Sequence, residues 1–476
     1  MHDKGILTDA EYRSALSEIG ASTGTRAEEA NSLVVGKWSA TLYGFLEGDY
    51  ILDSTQSFPE TGGNALVARP KGFAPPPPSP QSTYAGDNAR MQFSVRNTRF
   101  GLRLRAPEIS KVRASGTLEM DFLGFDPAPP TTTEAAFFTS PTLRVRHAYL
   151  KVETPVVDVL VGQYWHMFGW QPAFFPSSVE IQGLPGQLYA RTPQLRLSRK
   201  FGGPAGGVEL AVAGMRPPTR DGAVPELTGG LRVTLDKWRG VQSTGSTNTS
   251  LASASLAVTG DFRYFRVAEF ALVPGATRSI PTGAVAVDAF LPVIPATEKS
   301  RANALSLNGE FVYGAGISDL YTSFTGGLQL PSLPNTTGIN PPPTYPQSFD
   351  NGMIVFDNNT NHDLHAVVWS TFIVGVQYYF PGVNGKIWVA GNYSHTESPN
   401  IQDFTNPSTT PPNPQNSNYV YAATVRKFED WFDANLFFDP LPSVRIGLEY
   451  AYFNDRYVDG IHAINHRGQI SGFFLF

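Results

Sequence analysis

Arg99, Arg103 and Arg105 share one phase of an alternating stretch, and Arg113, Arg144, Arg146 and Arg196 take the matching phase of three further stretches. A guanidinium stays charged at any physiological pH and offers forked donors to carboxylate or phosphate. Repeated along one face of a sheet, such groups form a ladder that concentrates anions and slows cations. Glu47, Asp49, Glu119 and Asp121 lie on neighbouring stretches, so the alternative is a salt-bridged wall with no part in selectivity. A second group, Tyr164, Trp165, His166 and Trp170, gathers at the start of 165–187, WHMFGWQPAFFPSSVEIQGLPGQ, where Glu180 is the only acid. That segment is expected to pack on a wall and narrow a passage while adding little charge of its own.

Other constellations carry less. His362 and His365, with Asp350, Asp357 and Asp363, could hold a divalent cation, but their spacing matches no EF-hand and exposed loops often carry such runs. No metal is assigned. His147, His395, His462 and His466 have no placed serine and carboxylate to complete a triad. Phosphate-loop, zinc-protease and dinucleotide fingerprints are absent. No catalytic residue and no cofactor is expected, and the chain does not read as an enzyme. With 0 cysteines, disulfides, thiolate metal sites and a cysteine nucleophile are excluded.

The elements that must position these groups are strands. Only 16 % of the 476 residues are charged, against roughly 25 % in ordinary soluble domains. Aromatics reach 12 %, with 45 Gly and 39 Pro. Mean hydropathy is −0.17, and no apolar run approaches the ~20 residues of a spanning helix. A net charge of −5 argues against nucleic acid as a partner.

From Lys37 onward the sequence alternates with period two, as in Trp38–Leu52, Phe100–Ala106, Val112–Phe122, Phe432–Phe438 and Val444–Tyr452. Tight turns such as Pro107–Lys111, Thr154–Pro155 and Asp439–Pro442 take turns with long irregular loops at 54–88, 126–141, 330–365 and 397–430. A compact soluble domain seldom holds loops of that length. A closed membrane barrel does, because lipid faces one side of each strand and water the other, and no edge stays unpaired. The last strand sets Gly468, Ile470, Gly472, Phe474 and Phe476 against Arg467, Gln469 and Ser471, and Phe476 reads as an assembly signal. Seventeen strand starts can be marked, near 37, 89, 111, 142, 156, 188, 206, 227, 251, 281, 301, 318, 366, 386, 431, 442 and 463. Closure with both ends on one side needs an even number. Sixteen strands are expected, with eighteen the alternative and the surplus placed between 215 and 300.

Residues 1–36 are expected to form a periplasmic helix and linker before a barrel of 37–476. Thr8 to Glu11 has capping-box spacing, and Gly20 suits the helix end. Met1–Gly5 lacks the look of a secretory signal, so the signal peptide is expected upstream.

The stretch TLRVRHAYLKVETPVVDVLVGQYWHMFGW (142–170) and the hairpin RNTRFGLRLRAPEISKVRASGTLEMDFLG (96–124) resemble the DcaP-like trimeric porins. ALSLNGEFVYGAGISDLYTSFTGG (304–327) is similar in kind. The resemblance implies an all-β transmembrane antiparallel barrel of 16 strands, a homotrimer, a third loop folded inward, and a preference for small anionic solutes such as carboxylates. The short N-terminal helix departs from the longer coiled-coil segment such porins can carry. The expected function is therefore passive diffusion of small hydrophilic solutes through a bacterial outer membrane. Lipid, lipopolysaccharide and the barrel-assembly machinery would be partners, and a plugged structural barrel or a barrel enzyme is the alternative.

Overall fold

The computed structural model describes residues 32–35, 37–60, 65–70, 83–124, 142–170, 177–180, 183–218, 222–247, 249–269, 276–297, 300–322, 352–356, 363–406, 420–421 and 425–476. The helix expected over 8–20 lies outside them, as do Asp350, Asp357 and His362.

Sixteen antiparallel strands close on themselves. They are β1 (Trp38–Asp53), β2 (Arg90–Ser94 and Arg99–Arg105, interrupted once), β3 (Arg113–Asp121), β4 (Arg144–Glu153), β5 (Asp158–Trp165), β6 (Arg191–Gly203), β7 (Gly206–Met215) and β8 (Glu226–Gln242). The second half runs β9 (Ser250–Glu269), β10 (Ala276–Ile294), β11 (Leu305–Ala315), β12 (Val368–Tyr379), β13 (Ile387–Glu397), β14 (Arg426–Leu441), β15 (Val444–Tyr457) and β16 (His462–Leu475). Both pieces of β2 pair with β1, so they count as one strand. β16 returns to β1 in the register Phe45↔Leu475 to Asp53↔Arg467, which seals the barrel. Ser32–Val35, expected as linker, instead pairs back on the start of β1.

Alternation decides which side chain sees lipid. On β1, Leu42, Leu46 and Leu52 are exposed outside, while Glu47, Asp49 and Asp53 are buried inside. On β16, Ile464, Ile470 and Phe474 face out, and Asn465, Arg467, Gln469 and Ser471 face in. An apolar outer wall around a polar interior, with every strand paired, makes this a membrane-spanning barrel of the outer-membrane type. No helix of the described residues is long and apolar enough to cross a membrane.

The surplus strand is the one marked near 318, not one between 215 and 300. Ser318–Leu320 is a single 3-10 turn inside the barrel. Ile317, Leu320 and Tyr321 pack into an interior cluster around Trp369, so the segment is apolar because it is buried inside the barrel and not because it forms wall.

Short connections lie at one end of the barrel and long ones at the other, the periplasmic and outer ends of such folds. Besides the turn at Ser318–Leu320 and the buried part of the β1–β2 connection around Phe58 and Val67, two connections turn into the lumen and meet there. The outer one is the third loop, between β5 and β6. Val179 joins Phe45, Trp388 and Phe437, and Leu184 joins Phe58, Ile373 and Trp431. Each packs among inward residues of distant strands, so the loop folds inward as the resemblance implied. The second is the connection from β8 to β9 at the periplasmic end, described below.

Candidate functional site: the eyelet

The third loop is pinned on both flanks. On the far wall, the Val179 amide donates to Asn435 Oδ1 at 2.9 Å, and the Glu180 amide and Ser178 hydroxyl donate to Glu449 Oε2 at 2.9 and 2.7 Å. The Leu188 amide donates to Glu310 Oε1 at 3.0 Å, and the Tyr189 amide to the Leu320 carbonyl at 2.9 Å. A loop whose amides are spent on buried oxygens of the wall and the neighbouring turn holds one position, because an amide left buried without a partner costs roughly 1–3 kcal/mol.

From the periplasmic end, the polar residues Ser243–Thr247 enter the lumen beyond the point where β8 shifts register between Leu235 and Arg239. Buried Arg445, on β15, donates to the carbonyls of Thr244 (3.1 Å), Gly245 (2.8 Å) and Thr247 (2.8 Å). Its other face is held by Asp439 at 2.7 Å. The strand carrying Arg445 lies six to seven strands round the ring of sixteen from the turn it holds, so the turn reaches toward the opposite wall. Gly245 abuts the Ser178 carbonyl of the third loop with no room for a Cβ. Loop and turn thus meet inside the barrel, and between them and the β2–β4 wall lies a cavity of about 300 Å³. Arg99, Glu119, His147, Trp165 and Tyr189 are on its wall side, and Glu180, Ser178 and Thr244 on the other.

The arginines of the first half divide into spent and unspent. Arg146 is fully buried and bonded to Glu119 (2.8 Å) and Asp121 (3.1 Å). Arg144 closes on Asp121 at 2.6 Å. Arg196 caps the Trp165 carbonyl at 2.8 Å and lies over Tyr164. Arg103 stacks over Tyr43, Arg105 is exposed at the periplasmic end of β2, and Arg113 is exposed near Glu153. Arg99 is different: its nearest carboxylate oxygen is on Glu119 at 3.9 Å, and its Nε has no hydrogen-bond partner.

Among the aromatics, Trp165 and Tyr189 stand edge to face at 4.8 Å and line the cavity. Tyr164 packs on His147 and Tyr149. His166 lies 2.8 Å from Glu226, and Trp170 covers Arg232 within a small-residue cluster that includes Ala211, Ala213 and Ala257. Glu180 reaches Arg467 at 3.2 Å. No group of three His, Asp or Glu that could hold a metal occurs among the described residues.

Sequence reasoning missed three residues here. Arg191 sits at odd spacing from Arg196, which assigns it to lipid, yet its guanidinium lies 5.1 Å from the Trp165 ring and 5.3 Å from the Tyr189 ring. Its Nη1 is buried without a hydrogen-bond partner. Tyr189 lies just beyond the 165–187 segment, outside the aromatic run that marks it. Burial would raise its phenol, but Arg146, Arg99 and Arg191 around it outweigh that and hold it down, to about 8. Arg445 was visible as an inward residue, but nothing local shows what it would hold.

No family profile and no curated protein matches this sequence. Solved structures do match. The outer membrane channel DcaP of Acinetobacter baumannii superposes with a TM-score of 0.60 at 15 % identity, covering 92 % of this chain and 97 % of that one. The chain has the fold of the outer-membrane porins. OprB of Pseudomonas putida (0.47, 11 % identity, 91 % and 94 % covered) and an anion-selective porin from Comamonas acidovorans (0.46, 10 %, 92 % and 100 %) share the outline more loosely. At such identities the likeness concerns the barrel alone.

Proposed function

We propose that this protein is a trimeric outer-membrane porin through which small hydrophilic solutes diffuse, with an eyelet that favours anions. The observation that carries the charge preference is the pair Arg99 and Arg191. Inside the barrel Arg99 lies over the Phe45 ring and Arg191 over the Trp165 and Tyr189 rings, and neither guanidinium is hydrogen-bonded to a carboxylate. The neighbouring acids already have cations: Glu119 has Arg146 and Glu180 has Arg467. A passing anion therefore meets positive charge that the protein has not neutralised, in a place where low-dielectric walls concentrate the field.

Reversal potential across a KCl gradient in a planar bilayer tests this. The wild type is expected to favour chloride, and Arg99→Ala combined with Arg191→Ala to lower the chloride-to-potassium permeability ratio by roughly tenfold, the low end of what a one-signed cleft contributes. A cation-selective wild type, or an unchanged ratio in the double variant, sinks the reading.

Tyr189 supplies a pH test. Its phenol is neutral below about 8 and anionic above. Raising the pH from 7 to 9 adds a negative charge beside Arg99 and Arg191, so the permeability ratio is expected to fall across that interval. Tyr189→Phe should remove the change, and a ratio equally pH-dependent in that variant would assign the titration elsewhere.

A further inference from the structure

The cavity at the eyelet is not lined like a simple anion path. Its wall side ends in a cation, Arg99, and two aromatic rings, but the loop and turn that complete it are rich in hydroxyls: Ser178, Thr244, Ser246, Thr247 and Ser250. None of these is needed to pass a bare anion. A guanidinium only donates, and suits a carboxylate. A hydroxyl both donates and accepts, and suits another hydroxyl. Thr244 and Thr247 share one bond at 2.8 Å, which leaves each with further capacity. Gln242, at the edge of the turn, adds an amide of the same two-way kind.

We propose that this cavity is a binding subsite for a polyhydroxy monocarboxylate, of the size and chemistry of a six-carbon sugar acid, with its carboxylate at Arg99 and its hydroxyls on the turn. The inference rests on the anion-preferring channel proposed above and adds the solute class. The volume, about 300 Å³, is at the small end of ligand pockets and admits one such molecule. Two other carboxylates line the cavity, Glu119 and Glu180, and each has its own arginine at 2.8 and 3.2 Å. Arg99 remains as the cation presented to the solute. The turn belongs to the site only because Arg445 holds three of its carbonyls, so Arg445 is a positioning residue.

A neutral sugar would engage the hydroxyls but gain nothing from Arg99, and an aliphatic acid would do the reverse. Only a solute carrying both groups uses both walls. This sets the experiment: block of single-channel KCl current in the wild-type protein by gluconate, hexanoate and glucose. Gluconate is expected to reach half-block at a concentration at least tenfold below hexanoate, and glucose to block less than either. Equal block by gluconate and hexanoate, or by gluconate and glucose, overturns the proposal without any variant having to fold. In the combined variant Thr244→Ala, Ser246→Ala, Thr247→Ala, gluconate should fall to the level of hexanoate. Retention of the tenfold preference there would remove the turn from the site. Arg99→Ala should weaken both acids together. Failure of the anion reading shows separately, as a cation-selective reversal potential measured with no organic solute present.

Discussion

Deleting Phe476 is expected to cut the yield of folded, heat-modifiable barrel at least tenfold while leaving the conductance of each assembled channel unchanged. The reason lies at the seam. Phe476 donates its amide to the Gly44 carbonyl at 3.0 Å and accepts from the Gly44 amide at 2.9 Å, extending the β1–β16 ladder past Leu475. Without it, two backbone groups of Gly44 lose their partners near lipid, where each costs several kcal/mol because no water reaches them. An open end of the last strand pair is also a template for wrong pairing. Gly44 cannot shift to compensate: it has φ +152° and its Cα packs on the Arg99 backbone with no space for a side chain. The eyelet is held by its own bonds, from the third loop to Glu449 and Glu310 and from Arg445 to the β8–β9 turn, none of which runs through Phe476, so a barrel that does close should conduct normally. Densitometry of the folded band after refolding into lipid vesicles, with single-channel recording on the survivors, separates the two effects. Wild-type yield would mean that Phe476 is not needed to close the seam.

How much of this could be read in the sequence follows from what alternation encodes. Period two reports which face a residue takes, so strand starts marked near 206, 386 and 463 lie within one residue of Gly206, Ile387 and His462. Arg467 and Glu449 are inward for the same reason. Alternation fails where the chain is buried but not in the wall. Ile317–Tyr321 reads as a strand because it is apolar, but it is apolar because it packs with Trp369 and Val312 inside the barrel, and the count rises by one. It fails again at strand ends, where β5 and β6 curl inward and bring Trp165 and Arg191 to the lumen against their phase. What lies wholly beyond it is the meeting of remote segments. Ser243–Thr247 shows only as a polar run, and Arg445 only as one more inward cation, two hundred residues away. Their contact is a property of the closed ring, and no local pattern records it.

The same long-range logic gives Arg467 a role at two places in the barrel. It lies on β16, almost wholly buried, and grips Asp53 of β1 through two bonds at 2.9 and 2.8 Å and Glu180 of the third loop at 3.2 Å. One side chain thus joins the seam to the loop that narrows the pore. Arg467→Met keeps much of the volume and removes the charge, leaving two carboxylates buried without their cation. Breaking a buried pair in this way costs about 3–5 kcal/mol, far more than the pair contributes against an apolar substitute. Urea unfolding in vesicles should show a loss of that size. The loop should loosen too, because Glu180 then loses its ion pair with Arg467 while Glu449 still accepts its amide, and channel current should become noisier with larger openings. The decisive comparison adds Asp53→Asn and Glu180→Gln to Arg467→Met. If the penalty is the stranded charge, the triple variant recovers most of the stability lost by the single one, a coupling well outside simple additivity. If the triple variant is instead the sum of its parts, Arg467 works through packing on Phe58, whose ring lies 5.6 Å from its guanidinium, and the electrostatic account of the seam falls.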